Sequence, residues 1–194
     1  MNAERKALIE SITQKYADCP YPSPRVSRRG KPRLTVDLSR LSDEEVRLRD
    51  EFYMSCALEL ADLAASRGEV PVGAVVVREN EIISADFNGR EEEKNALYHA
   101  ETAAIGEACR VLGGWRLPGC ELFVTLEPCI MCAGAIVSSR MPRVVFAAAD
   151  ARAGAVGSVT DICTLPLNHR PTVKSGVLAE KCESQLKAFF ESRR

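Results

Sequence analysis

From Val72 to Ser192 the hydrophobic period of the chain switches back and forth, and this alternation constrains its fold more than any other feature. Val72 to Val77 and Ile82 to Phe87 are β-rich runs around a tight Glu79-Asn80 connection, which predicts a hairpin. A helical pattern runs from about His99 to Leu112 and stops at Gly113-Gly114. A strand over Glu121 to Leu126 follows. The next helix is expected to open at Pro128, since proline is favoured at the first helical position, and to stop before Pro142. A strand from Val144 to Phe146, a Gly-Ala-rich loop, a strand near Val173 to Leu178 and a helix from Ala179 to Ser192 complete the series. Ahead of it, Ser42-Asp43-Glu44-Glu45 has capping-box form, and Leu48, Phe52, Cys56, Leu60 and Leu63 keep helical spacing until Gly68. Strands alternating with helices of this length imply an α/β fold whose sheet is covered on both faces.

The 194 residues suffice for one domain with an appendage, and 46% apolar content suffices for a core. The longest apolar run, Cys129 to Val137, is far short of the roughly 18 residues of a spanning helix, and Met1 to Glu10 has no signal-type stretch. The expectation is a soluble, cytoplasmic protein with no membrane partner. Eight cysteines in such a chain argue for reduced thiols or metal ligands rather than disulfides. The net charge of -1 gives no hint of a nucleic-acid partner, but it averages two unlike parts. Residues 1–42 hold nine basic and four acidic side chains, against 17 and 23 in residues 43–194. Between Cys19 and Val36 stand five basic residues, four prolines and no acid, a composition that resists helix and sheet. This basic, Pro-containing N-terminal extension therefore reads as an extended arm, either a solvated linker or a nucleic-acid contact.

Two short motifs carry chemistry. His99-Ala100-Glu101 opens one helix, and Pro128-Cys129-Ile130-Met131-Cys132 opens another directly after a strand. Cysteines three apart in a first turn point to one side, and a helix N-terminus favours the thiolate form. Two thiolates balance the charge of Zn²⁺, and a neutral imidazole from His99 makes three ligands, leaving a fourth position for water. An open position implies catalysis. Glu101 can reach the space beside the metal and shuttle protons: from water to a ring nitrogen, then to a departing amine. The combination H-x-E with P-C-x-x-C is the signature of zinc deaminases.

Taken singly, each motif has a plain alternative: a buried hydrogen-bonded histidine, or a structural or redox cysteine pair. A four-cysteine structural site would need a second close pair, and Cys19, Cys56, Cys109, Cys120, Cys163 and Cys182 are spaced too widely to form one. They read as small buried or surface thiols.

Longer stretches carry a family resemblance. Glu69-Val70-Pro71-Val72-Gly73-Ala74, the His99-Ala100-Glu101 triplet, Trp115-Arg116-Leu117 and Val124-Thr125-Leu126-Glu127-Pro128-Cys129-Ile130-Met131-Cys132-Ala133-Gly134-Ala135 resemble the bacterial tRNA-specific adenosine deaminases of the cytidine/deoxycytidylate deaminase-like superfamily. So do Arg143-Val144-Val145-Phe146, Asn168-His169-Arg170 and Phe189-Phe190. The resemblance spans residues 43–194 and leaves out the arm. It implies a three-layer α/β/α sandwich with a five-stranded mixed sheet, a homodimer with one Zn²⁺ per subunit, and hydrolytic conversion of adenosine to inosine at the wobble position of a tRNA anticodon stem-loop. It also implies that Asn88 hydrogen-bonds the nucleoside, that Asp150 contacts a neighbouring ribose and that His169 belongs to an RNA-facing segment.

Cys132 is followed by Ala133-Gly134-Ala135-Ile136, as in the tRNA enzymes and in guanine deaminases, whereas small cytidine deaminases usually carry Arg-Gln there. A guanine or other free-base or nucleoside deaminase is thus the alternative enzyme. An inactive zinc-containing RNA-binding module is the alternative of another class. Arg140, Arg143, Arg152, Arg170, Lys174, Lys187, Arg193 and Arg194 are candidate phosphate contacts. Asn95-Ala96-Leu97-Tyr98 replaces the Asp-Pro-Thr-Ala common before the histidine, so Tyr98 is either a stacking platform for a splayed base or a packing residue.

Overall fold

A computed structural model describes residues 3–28 and 34–193. Helix α1 (Ala3–Gln14) and strands β1 (Arg25–Arg28) and β2 (Leu34–Asp37) precede helix α2 (Asp43–Ser66). Then come β3 (Gly73–Arg78), β4 (Glu81–Phe87), α3 (Ala100–Val111), β5 (Cys120–Leu126), α4 (Ile130–Ser138), β6 (Arg143–Ala148), β7 (Thr172–Lys174) and α5 (Ala179–Glu191).

The main sheet has the order β4-β3-β5-β6-β7. Its first three strands pair antiparallel, while β5 with β6 and β6 with β7 are parallel. Parallel neighbours need a crossover. Helix α4 supplies the first, and the segment 149–171 the second. Side chains alternate across the strands, so Val75, Val77, Phe87, Phe123 and Val145 pack on one face under α1, α2 and α5. Ala74, Val76, Leu122, Val124 and Val144 pack on the other under α3 and α4. Covering both faces makes the strands continuously apolar. The expected three-layer sandwich with a five-stranded mixed sheet is the one observed.

Local signals placed most elements. Ser42 accepts the Glu45 N–H, and the Glu45 carboxylate accepts the Ser42 N–H at 2.7 Å, closing the capping box of α2. The β3-β4 connection is two residues long, with φ of 52° at Glu79 and 67° at Asn80, the left-handed pair that matches hairpin twist. Two boundaries need correction. Pro128 precedes α4, and Cys129 is its N-cap rather than a first-turn residue. Strand β7 stops at Lys174 because the chain turns through Gly176 (φ 83°) and Leu178 (φ 56°), which can no longer pair in extended form.

The N-terminal extension departs most from expectation. Residues 3–14 are helical, and α1 packs on α2 and β4 with Ile9 buried in the core. Tyr16 and Tyr21 set their rings edge-on to Phe52 at 5.1 and 6.2 Å. Between Cys19 and Val36, where sheet was excluded, β1 and β2 pair antiparallel. The physical reason is positional: none of the prolines falls inside either strand, so no ladder donor is lost. Arg29, Lys31 and Arg33 of the basic stretch, and Arg194, lie outside the described residues.

Candidate active site

Because β3 runs against β5 while β6 runs with it, one end of the sheet collects the start of β3, the end of β4 and the ends of β5 and β6. Crevices beyond strand carboxyl ends, where the topology switches, are favoured ligand sites. Helices α3 and α4 both begin there. Their N-caps are His99 and Cys129, and neither side chain is used in capping. The positive ends of two helices thus converge on one point, and Cys132 follows in the first turn of α4.

His99 Nδ1 lies 3.7 Å from Cys129 Sγ and 3.6 Å from Cys132 Sγ, and the three ligand atoms all fall within 4.8 Å of one another. A tetrahedral ion with bonds of about 2.3 Å to sulfur and about 2.0 Å to nitrogen separates those ligands by about 3.6 Å, so the trio fits zinc. Its electrostatics agree. Hydrogen bonds from the Cys132 thiol and from His99 bring Cys129 down to about 3, against the effect of burial. His99 is raised chiefly by its contact with Cys129, and Cys132 is raised by its hydrogen bond to Cys129 and by burial, so it holds its proton. A dication would displace that proton. Four cysteines outside the trio stay thiols: burial pushes Cys56 and Cys120 up to about 12 and Cys163 and Cys182 up to about 11. Among the described residues every cysteine is unbridged, and this trio is the metal-capable group.

Glu101, in the first turn of α3, is buried, and burial is the main cause that raises its carboxyl above the ordinary range. A carboxyl that binds its proton readily beside a metal site with three protein ligands is suited to transfer it. A cavity of about 210 Å³ opens over these groups, lined by Asn88, Arg90, Glu127 and Asp150 along with His99, Glu101 and Cys129. Val70, Val72 and Leu126 form its apolar wall. A wider groove of about 600 Å³, bounded by Tyr16, Glu59, Asp62 and Gln185, lies between α2 and α5 and holds none of the trio.

The structure thus gathers six of the seven expected site residues: His99, Glu101, Cys129, Cys132, Asn88 and Asp150. His169 is not among the cavity residues; its Nε2 meets the Met141 carbonyl at 2.6 Å. Arg143 is removed from the candidate phosphate contacts, because it is buried and bonded to Asp50 and Glu121. Tyr98 is settled as a packing residue, its hydroxyl donating to Asp86 at 3.2 Å.

Two further carboxylates shape the cavity without showing in the sequence pattern. Glu69 Oε2 accepts from Asn88 Nδ2 at 3.0 Å, which fixes the amide so that its oxygen faces away from Glu69. Glu127 Oε1 accepts the N–H groups of Val156 and Ser158 at 3.0 Å, and its Oε2 accepts that of Asp150 at 3.0 Å and the Ser158 hydroxyl. Burial raises Glu127, but these bonds outweigh it and hold the carboxylate below its ordinary range. A side chain at Gly154 would meet Glu127 Cδ at 2.4 Å, so the loop closes on this carboxylate only with glycine there. Position alone marks Glu127: it directly follows β5 and precedes the cysteine motif.

The profile of the cytidine and deoxycytidylate deaminase zinc-binding region matches residues 48–148, the span that carries the trio and Glu101. The chain belongs to this deaminase family. It is 48% identical over 147 residues to the tRNA-specific adenosine deaminase of Bacillus subtilis (strain 168), covering 75% of this chain and 91% of the relative. A solved structure from a study of A-to-I editing by tRNA:A34 deaminases at the wobble position of transfer RNA superposes with a TM-score of 0.68 at 41% identity, covering 69% of this deaminase and 98% of that chain. The guanine deaminase from Nitrosomonas europaea superposes with a TM-score of 0.61 at 27% identity, covering 72% of this chain and 83% of its own.

Proposed function

We propose that the deaminase hydrolyses adenosine to inosine at the wobble position of a tRNA anticodon, releasing ammonia. The observation that carries this reading is the buried Glu101 carboxyl beside the His99, Cys129 and Cys132 trio, in a cavity sized for one base. His99, Cys129 and Cys132 would hold one zinc ion per subunit. The metal would supply the chemistry of acidifying a water enough to attack at neutral pH. Glu101 would carry one proton from the attacking water to the purine ring nitrogen next to the amino-bearing carbon, where it stays in inosine, and would then carry the second, from the added hydroxyl, to the amine, which departs as ammonia. The Asn88 amide, oriented by Glu69, holds the base. Asp150 contacts a neighbouring ribose from the loop that Glu127 organises.

A wobble base is unpaired in its loop, so turning it into the cavity costs less than extracting it from a duplex. His169 lies outside the cavity and is assigned to the surrounding RNA contact, together with exposed basic side chains such as Arg152 and Arg170. The assembly is read as a cytoplasmic homodimer. Among the described residues no helix is long and apolar enough to cross a membrane.

The 48% identity to a tRNA-specific enzyme, against 27% to a guanine deaminase, favours the anticodon over the free base. The test is a substrate panel: an anticodon stem-loop with a wobble adenosine, free guanine and free cytosine. Inosine in the stem-loop is the expected product. Ammonia from guanine with none from the stem-loop would overturn the assignment.

A further inference from the structure

The cavity is held in shape by a residue from outside the deaminase match, which begins at residue 48. Arg5, on α1, is fully buried behind the end of β4. Its Nε and Nη2 donate to Asp86 Oδ1 at 3.0 and 2.8 Å, its Nη1 donates to Glu92 Oε2 at 3.1 Å, and Nη2 also meets the Phe87 carbonyl. The guanidinium lies 3.5 Å from the Phe87 ring centroid and 4.9 Å from that of Tyr98. Three of these partners lead into site residues: Asp86 and Phe87 into Asn88, and Tyr98 into His99.

The contacts form a frame. Tyr98 donates to Asp86, and its carbonyl accepts the Gly89 N–H at 3.2 Å, so the segment 89–98 closes back on the strand end that Arg5 grips. Glu92 also accepts from Arg67, and its N–H donates to Glu69 Oε1 at 2.7 Å. Glu69 in turn orients Asn88. Arg5 is thus linked to the Asn88 amide through the Glu92 side chain, the Glu92 backbone N–H and the Glu69 carboxylate. Gly89 leaves the room it needs, for a Cβ there would stand 2.8 Å from Arg5 Nη1. Burying a guanidinium so deeply is costly unless its partners are fixed, and each of these is fixed around the pocket.

We propose that Arg5 is a positioning residue for the deamination reaction, through which the N-terminal helix sets Asn88 and the segment leading into His99. This rests on the deaminase reading given above. The grip of Arg5 falls on the end of β4 and on the segment 89–98 rather than on α4 and its cysteines, so its loss should leave zinc bound and weaken the hold on substrate. Displacements of about 1 Å in such a site cost on the order of 100-fold in rate.

The experiment is steady-state kinetics on the anticodon stem-loop for full-length Arg5→Met and Arg5→Lys, with zinc content, thermal melting and hydrogen–deuterium exchange. Arg5→Met is expected to keep one zinc, to lose roughly 10- to 100-fold in kcat/KM with the larger share in KM, and to exchange faster over residues 86–99. Arg5→Lys keeps the charge but not the fork, and is expected to recover part of the loss. If Arg5→Met does not fold, the KM of Arg5→Lys and its exchange over 86–99 decide. Wild-type kinetics and exchange over 86–99 in the folded variant would overturn the proposal, as would faster exchange confined to α1. A wild-type protein inactive on the stem-loop would instead refute the substrate assignment, while the exchange data would still judge Arg5.

Discussion

Buried charge stands at the start of strand β5 and beyond its end, and the two groups do opposite things. At its start, Glu121 joins Arg49, Asp50 and Arg143 in a closed set: Arg49 to Glu121 at 2.5 Å, Arg143 to Asp50 at 2.6 Å and Arg143 to Glu121 at 2.7 Å. Two cations meet two anions. The partners raise Arg143 despite the opposing effect of its burial, so no proton is available to move. Beyond its other end, Glu101 faces His99 and the two cysteines and is raised by burial. Buried charge answered by permanent countercharge is scaffolding, whereas a buried carboxyl set among titratable neighbours can exchange protons with a substrate.

Perturbing each end should separate the two roles, beginning with the largest effect. Glu101→Ala is expected to lose about 100- to 10,000-fold in kcat while keeping zinc and its melting behaviour, as read by single-turnover kinetics and metal analysis. At the scaffold end, Glu121→Ala leaves two buried guanidinium groups facing one carboxylate. It should cost about 3–5 kcal/mol in denaturant unfolding yet leave turnover per folded molecule near wild type. A fall in kcat there without a loss of stability would erase the contrast.

Glu127→Gln falls between these, since Glu127 organises a loop through its charge. Its folded pKa is depressed, so the stability it contributes is present above the ordinary carboxylate range and is lost as pH falls through the folded value. Protection over residues 150–158, after correction for the intrinsic pH dependence of exchange, should therefore fall in the wild type as pH drops below the ordinary carboxylate range, whereas the glutamine variant should be poorly protected already at neutral pH. The smallest effect is expected in the arm. Replacing Arg25, Arg28, Arg29, Lys31 and Arg33 by serine should flatten the salt dependence of tRNA binding by about 0.7 for each phosphate that the arm no longer neutralises. An unchanged slope would make the arm a linker.

The same contrast governs what could be read from the sequence. The trio and Glu101 were legible because short spacings encode them: two residues from His99 to Glu101, three from Cys129 to Cys132, each pair at a helix start. The sheet and its covering helices were legible through hydrophobic period, capping box and turn residues. Glu69, Glu127 and Arg5 were not, because their partners lie 19, 23 to 31 and 81 to 87 residues away, and only the folded chain brings them together. Helix α1 escaped for a related reason. Its sequence is mostly polar, and what packs it on the domain is one buried arginine with distant partners and one buried isoleucine, Ile9.

The most direct measurement follows the oxygen. The stem-loop is incubated with the zinc-loaded protein in ¹⁸O-water, and the released nucleosides are weighed by mass spectrometry. The account predicts one ¹⁸O atom in inosine at the wobble position, none at other adenosines, and labelled product forming at least about 100-fold more slowly with Glu101→Ala. Unlabelled inosine, labelled product from guanine alone, or full activity without Glu101 would contradict it.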